Sequence, residues 1–584
     1  MNLAVRLWLC TVLLLNLASP VCLAASGNST FKNFLNVNVT GISSGLQNQV
    51  QSFVTIPDRI DRADIENYIE LLKSDAEKSL QPLGYYNAKA RATHTSNKIS
   101  TRIELRIDAG KPVRITHIHL SIEGSATTDP DFKKTLQALP IKRGAIFNHG
   151  NYERSKDLLS SRAQSLGYFQ ADFKRSQVLV RQKKHAAEVF LVFNSGERYN
   201  ISTVTYNTTL FKKPFLKRWQ PFEQNVPYRA SHVRQLTENL QNSGYFKHVR
   251  VKPLLNQADG NEIPLQVDLQ PSSENVVSLG IGYATDSGPR VKGNWLRPHT
   301  NRHGHILETS ASVSLWRKEL TAGYRVPHLN SPATGRYTFD IGLSNQRTDD
   351  TFSQLRTMDI GDHRTMGNGW TRDFFLRWEN ERFRIGDQKS TINLLLPGIG
   401  VSRSKSSGSL LPDKGTSYSF SLLAGSKKLL SDLSMIRVTG SAKLLNSWHV
   451  RHYLIARADA GFLITPSFSM VPTSHRFFAG GDNSVRGFSF QSISPVNSDN
   501  ELIGGQFLTT ASLEYNYYFR KNWAVALFAD TGRAFIDADE RYRLGIGTGI
   551  RWISPLGPLR IDLGYGVTEA SRPLRLHLAI GPLL

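Results

Sequence analysis

Cysteine is nearly missing from this 584-residue chain, which has two, Cys10 and Cys22, both within the first 25 residues. If that segment is cleaved, as its pattern predicts, disulfides and thiolate metal sites are excluded. Long apolar runs are missing too. Beyond residue 25 no stretch of 18 apolar residues occurs, so no transmembrane helix is available. The chain contains no Gly-x-x-x-x-Gly-Lys phosphate loop and no nucleophile–base constellation. It therefore reads as neither nucleotide-driven nor an enzyme, and no cofactor is expected. Acidic residues fall short, with 48 Asp and Glu against 71 Lys and Arg, a formal charge of +23. The excess is spread over both halves of the chain, whereas a nucleic-acid binder gathers it on one face or tail. It implies attraction to anionic surfaces such as lipid, or to acidic clients.

What is present begins with an address. Arg6, the apolar stretch Leu7–Leu17 and the small residues around Cys22–Ala25 predict a secretory signal peptide over residues 1–25. Cys22 is a poor lipoprotein acceptor because Pro20-Val21 precedes it. A secreted chain without apolar helices can enter a membrane only as a closed β-barrel, in which apolar and polar residues alternate.

A repeat follows. Leu83-Gly-Tyr-Tyr86, Leu166-Gly-Tyr-Phe169 and Ser243-Gly-Tyr-Phe246 recur about 80 residues apart. Each glycine is placed for the left-handed cap that closes a helix, and the aromatic pair is expected to begin the next strand. Two strands follow in each unit: 85–94 with 99–107, 168–180 with 186–193, and 245–255 with 262–269. The units read β-α-α-β-β over residues 27–111, 112–195 and 196–274.

From about Val276 the period changes to two. Leu559, Ile561, Leu563 and Tyr565 alternate with Arg560, Asp562, Gly564 and Gly566; Tyr337, Phe339, Ile341 and Leu343 alternate with Thr338, Asp340, Gly342 and Ser344. The last 310 residues, 275–584, divide into about 16 antiparallel strands, with 14 or 18 as the alternatives. One stretch breaks the alternation: Ala479-Gly-Gly-Asp-Asn-Ser-Val-Arg-Gly-Phe-Ser489. Gly480 and Gly481 permit a tight turn, and Arg486 follows on a short arm beside Gly487 and Phe488. If Leu513, Tyr515 and Tyr517 face lipid, Glu514 points inward; if Val525, Leu527 and Ala529 face lipid, Phe528 and Asp530 point inward. Arg486 on a folded-in loop is expected to meet Asp530, and Glu514 as a second receiver, because guanidinium binds carboxylate in a fork and stacks on aromatic faces.

The repeat order and its Gly-Tyr-aromatic mark resemble polypeptide-transport-associated (POTRA) domains. The tip Val485-Arg-Gly-Phe488, the strand Phe528-Ala-Asp-Thr-Gly532 and the turn Ser554-Pro-Leu-Gly-Pro-Leu559 are similar to those of the POTRA-containing outer-membrane superfamily of barrel-assembly and secretion proteins. The resemblance implies periplasmic repeats before an outer-membrane barrel, with the tip as a lumen latch and Glu514, Phe528, Asp530 and Gly532 as its receivers. Three repeats, the Gly282–Arg290 stretch with Gly293-Asn-Trp295, and the Ile580–Leu584 end are similar to the translocation and assembly module branch. That branch implies autotransporter or other outer-membrane protein clients and an inner-membrane-anchored partner.

A lateral seam is expected between the first strand, about Val277–Tyr283, and the last, Leu574–Ile580. Gly280 and Gly282 leave little side chain to pack across it, and Gly581-Pro582 removes a donor. Ile281 and Leu578 are expected near each other there. Two other functions compete, a passive outer-membrane channel and a two-partner secretion transporter for an exported adhesin. The repeats and the inward loop argue against the first; the absence of a two-repeat, plug-helix pattern argues against the second. His117-Ile-His119 has ligand spacing on one strand face but no third ligand, His303-Gly-His305 reads as a loop, and Gly545-Ile-Gly-Thr-Gly549 reads as strand in which small residues relieve lumen crowding.

Overall fold

A computed structural model describes residues 33–97, 99–407, 411–555, 557–569 and 574–580. The expected signal peptide and the seam residues Gly581 and Pro582 lie outside the described residues. Two compact units divide at Tyr199/Asn200. Among the described residues no helix is long and apolar enough to cross a membrane.

The first unit holds two repeats. In the first, β1 (Asn33–Thr40), α1 (Ser44–Phe53), β2 (Arg59–Ile60), α2 (Ile65–Leu80), β3 (Lys89–Ser96) and β4 (Ser100–Asp108) form a sheet ordered β2-β1-β4-β3. The inward residues of β4, Ile103, Leu105 and Ile107, pack on Leu72, Ala76 and Leu80 of α2. In the second, β5 (Arg114–Glu123), α3 (Pro130–Gln137), α4 (His149–Leu166), β6 (Asp172–Arg181) and β7 (Ala186–Asn194) form a sheet ordered β5-β7-β6. Its core gathers Phe132, Phe147 and Leu159 under Val189, Leu191 and Phe193.

The second unit opens with a third repeat: β8 (Asn200–Asn207), α5 (Lys213–Lys217), β9 (Val226–Pro227), α6 (Ala230–Asn242), β10 (Phe246–Pro253) and β11 (Glu262–Pro271), ordered β10-β11-β8-β9. That is the strand order of the first repeat. The marking glycines take φ of 93° at Gly84, 90° at Gly167 and 77° at Gly244, where a side chain would be strained. The aromatic pair does not begin the next strand in the first two repeats; β3 and β6 start only at Lys89 and Asp172. The physical reason is burial: Tyr168 turns into the core before the chain reaches the sheet. In the third repeat β10 begins at Phe246 itself.

Sixteen strands then close a barrel. They are β12 (Val276–Ala284), β13 (Gly288–Arg297), β14 (Ile306–Val313), β15 (Arg317–Pro327), β16 (Gly335–Arg347), β17 (Thr351–Thr365), β18 (Thr371–Ile385) and β19 (Gln388–Ser406). The circuit continues through β20 (Lys414–Gly425), β21 (Met435–Trp448), β22 (His452–Ile464), β23 (Phe507–Arg520), β24 (Trp523–Phe535), β25 (Arg543–Ser554), β26 (Gly557–Gly566) and β27 (Leu574–Ile580). Each neighbouring pair is antiparallel, and alternation carries through: Leu513, Leu527 and Leu563 are exposed on the outer face while Glu514, Phe528 and Asp562 are buried. We call proximal the rim from which β12 starts. There the third repeat seats on the β13–β14 turn, where the Tyr245 hydroxyl donates to the Gly304 carbonyl at 2.6 Å and the Phe215 ring lies against Gly304.

Candidate functional site: the lumen loop and the seam

Residues 465–506, between β22 and β23, fold into the lumen and divide the barrel wall in two. Toward β18–β20 they mix apolar and polar contacts. Val471, Phe477 and Ile493 of the loop share one buried cluster with Phe383, Ile392, Leu394, Leu396 and Leu423, while His475 Nε2 lies 2.7 Å from Glu379 on β18. This explains Leu394-Leu-Leu396, a run without alternation, because its inner face meets protein and not water. The loop's neck is held by Arg476, whose guanidinium donates to the carbonyls of Val471, Ile503, Phe468 and Ser469 at 2.9–3.1 Å. Sequence reasoning missed Arg476.

Against the other half the loop is charged. Gly480 and Gly481 sit at φ 101° and 104°, Gly487 at 91°, and between these turns the chain presents Arg486 to β23, β24 and β26. The Arg486 guanidinium forks Asp530, with Nε to Oδ2 at 2.7 Å and Nη2 to Oδ1 at 3.0 Å, and its backbone N–H donates to Oδ2 at 3.0 Å. Nη1 donates to Glu514 at 2.7 Å and to Asp562 at 3.1 Å. The guanidinium carbon stands 3.5 Å from the centre of the Phe528 ring, within cation–π range. Arg551 on β25 closes the circuit, donating to Glu514 at 3.0 Å and to Asp562 at 2.5 Å. Three carboxylates thus share two guanidinium groups, all five side chains at most 5% exposed. Buried charges of this kind persist only when paired and hydrogen-bonded.

The structure therefore brings together Arg486, Glu514, Phe528 and Asp530, and adds Asp562 and Arg551. Asp562 was legible as an inward acid by alternation; nothing in the sequence tied it to Arg486. The Gly545–Gly549 stretch is strand, as its alternation implied, and its glycines do more than relieve crowding. A Cβ on Gly545 would lie 1.8 Å from the Arg486 carbonyl oxygen, and one on Gly564 would lie 2.6 Å from the Gly487 nitrogen. Gly532 lies under Val485 in the same way. The tip rests on a floor with no side chains. Gly545→Val is expected to expel the tip at a cost of about 1–3 kcal/mol, the overpacking range. Limited proteolysis within 465–506 checks it, with cleavage rising while the heat-modifiable gel shift of a closed barrel persists.

The seam residues lie elsewhere. Gly280, Gly282 and Ile281 are on β12, and Leu578 is on β27. β12 pairs with β13 through nine residues, Val276 to Ala284. With β27 it has one Cα pairing among the described residues, Ala284 to Ala579. Among the described residues, which end at Ile580, no further pair of β12 with β27 is formed. Ile281 is not opposite Leu578, as the sequence suggested; the register sets Leu578 beside Thr285, whose N–H donates to the Leu578 carbonyl at 3.1 Å. The correction arises from barrel stagger, which slides β27 toward the distal end of β12. His117 stacks with His119, which stacks in turn on Phe190, an ordinary strand face.

A closed barrel with a folded-in arginine loop, preceded by β-α-α-β-β repeats, defines the class. Residues 275–581 match the Omp85 superfamily domain, 36–109 the POTRA domain TamA domain 1, and 115–196 the POTRA surface antigen variable number repeat. The chain belongs to the Omp85 superfamily. The outer membrane protein assembly factor BamA of Nitratidesulfovibrio vulgaris is 24% identical over 439 residues, 70% of this chain and 54% of its own length. BamA of Neorickettsia risticii is 23% identical over 469 residues, 74% of this chain and 60% of its own length. The chain thus spans 54–60% of the length of these relatives. The crystal structure of BamA from Haemophilus ducreyi lacking POTRA domains 1-3 aligns at a TM-score of 0.67 and 15% identity, covering 80% of this chain and 99% of that one, and shows the same fold. Both of the sequence relatives are described as outer membrane protein assembly factors.

Proposed function

We propose that this chain is an outer-membrane assembly or translocation factor that inserts or secretes β-barrel and autotransporter-type clients. The observation that carries the reading is the seam. One ladder pair, Ala284 to Ala579, joins β12 to β27 among the described residues, which end at Ile580 on that side, and the seam is taken as an exposed strand edge. Such an edge templates strand addition. A client strand can therefore gain its ladder bonds at the seam without nucleotide energy. The lumen supports this reading over a passive channel, because residues 465–506 fill much of the space an aqueous pore would need. Arg486 serves as the latch that holds that loop, with Asp530, Glu514, Phe528 and Gly532 as receivers.

The branch of the superfamily proposed is the translocation and assembly module, with a role like that of TamA and a TamB-like, inner-membrane-anchored partner. Three repeats of one architecture and the family match over residues 36–109 support it. In this reading the barrel lies in the outer membrane and the repeats in the periplasm. Purified protein in liposomes tests the function: an autotransporter-type client should fold into the bilayer in its presence. A size-selective solute conductance without client assembly would favour the channel.

The partner is expected to bind the first repeat by strand addition. Its sheet ends in β3, Lys89–Ser96, which has β4 on one side and, among the described residues, no strand on the other. Proline at β3 positions whose N–H points away from β4 removes a donor and blocks the edge. Partner capture should fall at least tenfold, with the circular dichroism of the repeat unchanged. Unchanged capture after scanning every edge strand would reject strand addition.

A further inference from the structure

We infer that the loop tip, through Asp482, is what keeps the seam shut. The inference rests on reading the seam as the client gate, and it concerns the lock of that gate. At the seam's distal end the backbone ladder is incomplete. Thr285 N–H donates to the Leu578 carbonyl, but the return bond, from Leu578 N–H at 3.0 Å, goes to the Thr285 hydroxyl and not to a backbone carbonyl. That same hydroxyl donates to the Asp482 carboxylate at 2.9 Å. One oxygen thus serves both the seam and the loop, and Asp482 fixes its orientation.

Asp482 holds the other edge as well. Its Oδ1 lies 2.6 Å from Nδ1 of His577 on β27, while its backbone N–H donates to Asp286 in the β12–β13 turn. The Gly487 N–H donates to His577 Nε2 at 2.9 Å. An N–H can only donate, so Nε2 is the acceptor and Nδ1 carries the proton to Asp482. Asp286, Asp482 and His577 place oxygen and nitrogen atoms within 4.8 Å of one another, a spacing open to a cation. Both imidazole nitrogens are already engaged within the protein, so the group is a hydrogen-bonded clasp. Gly481 is the only residue type that fits the bend beneath it, because a Cβ there would meet Asp286 Oδ2 at 2.3 Å.

The clasp ties the first hairpin, the last strand and the tip into one unit, and the tip is itself anchored by Arg486 four residues on. Withdrawal of the tip removes Asp482 and Gly487 together. What then remains between β12 and β27, among the described residues, is a single ladder pair and the Thr285 bonds. A client that opens the seam must displace the tip, or be preceded by its displacement.

Burial, followed by the neighbouring Asp482 carboxylate, pushes the Asp286 carboxyl up to about 6. Asp286→Asn keeps an acceptor for the Asp482 N–H and removes the like charge, so it should weaken the clasp less than Asp482→Ala.

The test reads closure directly, without a client. Full-length protein carrying Ala284→Cys and Ala579→Cys, with Cys10 and Cys22 absent or replaced by Ser, is oxidised in liposomes and the cross-linked fraction is followed over time. Asp482→Ala is expected to slow cross-linking roughly tenfold, the scale set by losing hydrogen bonds to a charged group. Thr285→Val, which deletes only the shared hydroxyl, should do the same if Asp482→Ala fails to fold. Asp286→Asn should cross-link at a rate between those of the parent and Asp482→Ala. Parental rates in both Asp482→Ala and Thr285→Val would overturn the clasp. Slowed cross-linking alongside a failure of client assembly in the parent protein would instead leave the clasp standing and reject the functional reading.

Discussion

Arg486→Ala should destabilise the barrel and loop by about 3–5 kcal/mol, the range for removing one partner of a buried ion network. Three carboxylates, Asp530, Glu514 and Asp562, converge on this guanidinium, and once it is gone Arg551 still pairs with Glu514 and Asp562 but not with Asp530. Asp530 suffers most, because it loses a fork and keeps only the Ser512 hydroxyl at 2.6 Å and the backbone N–H of residue 486. Thermal denaturation, followed by gel mobility and by proteolysis of 465–506, measures the loss. Residues 33–199 form a separate compact unit and should keep their own transition. Arg486→Lys restores the charge without the fork, so it should recover part of the stability only. The pairing itself is tested by a double-mutant cycle. With Arg486 gone, Asp530→Ala relieves an unpaired charge, so the double variant should be more stable than the two single losses predict, by about 0.5–3 kcal/mol. Additive losses would sink the pairing.

A disulfide across the seam should stop client assembly altogether, and reductant should restore it. Ala284 and Ala579 are the positions, since they face each other in the ladder. Cα atoms within roughly 4.4–6.8 Å can be bridged without backbone movement. The control places the same bond where no opening is expected, with Ile281→Cys and Val291→Cys, which face each other in the continuous β12–β13 ladder. That lock should leave assembly unchanged. Full assembly in the oxidised Ala284→Cys, Ala579→Cys protein would eliminate lateral opening, whatever holds the seam. The outcome separates a gate from a weak joint, because every barrel closes somewhere and a short ladder alone proves nothing about motion.

Much of the architecture is local and was therefore readable. A period of two assigns each residue of a strand to one face, so the inward aim of Glu514, Phe528 and Asp530 followed from Leu513, Leu527 and Ala529 beside them. A glycine at positive φ follows the last helix of each repeat, and three such marks delimit three repeats. The strand count followed from length divided by the span of a strand and its turn.

What alternation cannot give is which inward residues become neighbours. That depends on the stagger of sixteen strands and on where a 42-residue loop comes to rest. Asp482 meets Thr285 across 197 residues of chain, and His577 meets Gly487 across 90. A one-residue change of register would turn His577 outward. The same dependence moved the seam partner of Leu578 from Ile281 to Thr285. It also hid the apolar inner wall of β18–β20, since a lumen face is polar by default and becomes apolar only where protein fills it. The sequence by itself determined the repeats, the barrel, the inward acids and the arginine tip, because each is written in a few consecutive residues. Only the tertiary structure decided the five-charge network, the glycine floor and the clasp at the seam, because each is assembled from strands whose relative register no local pattern encodes.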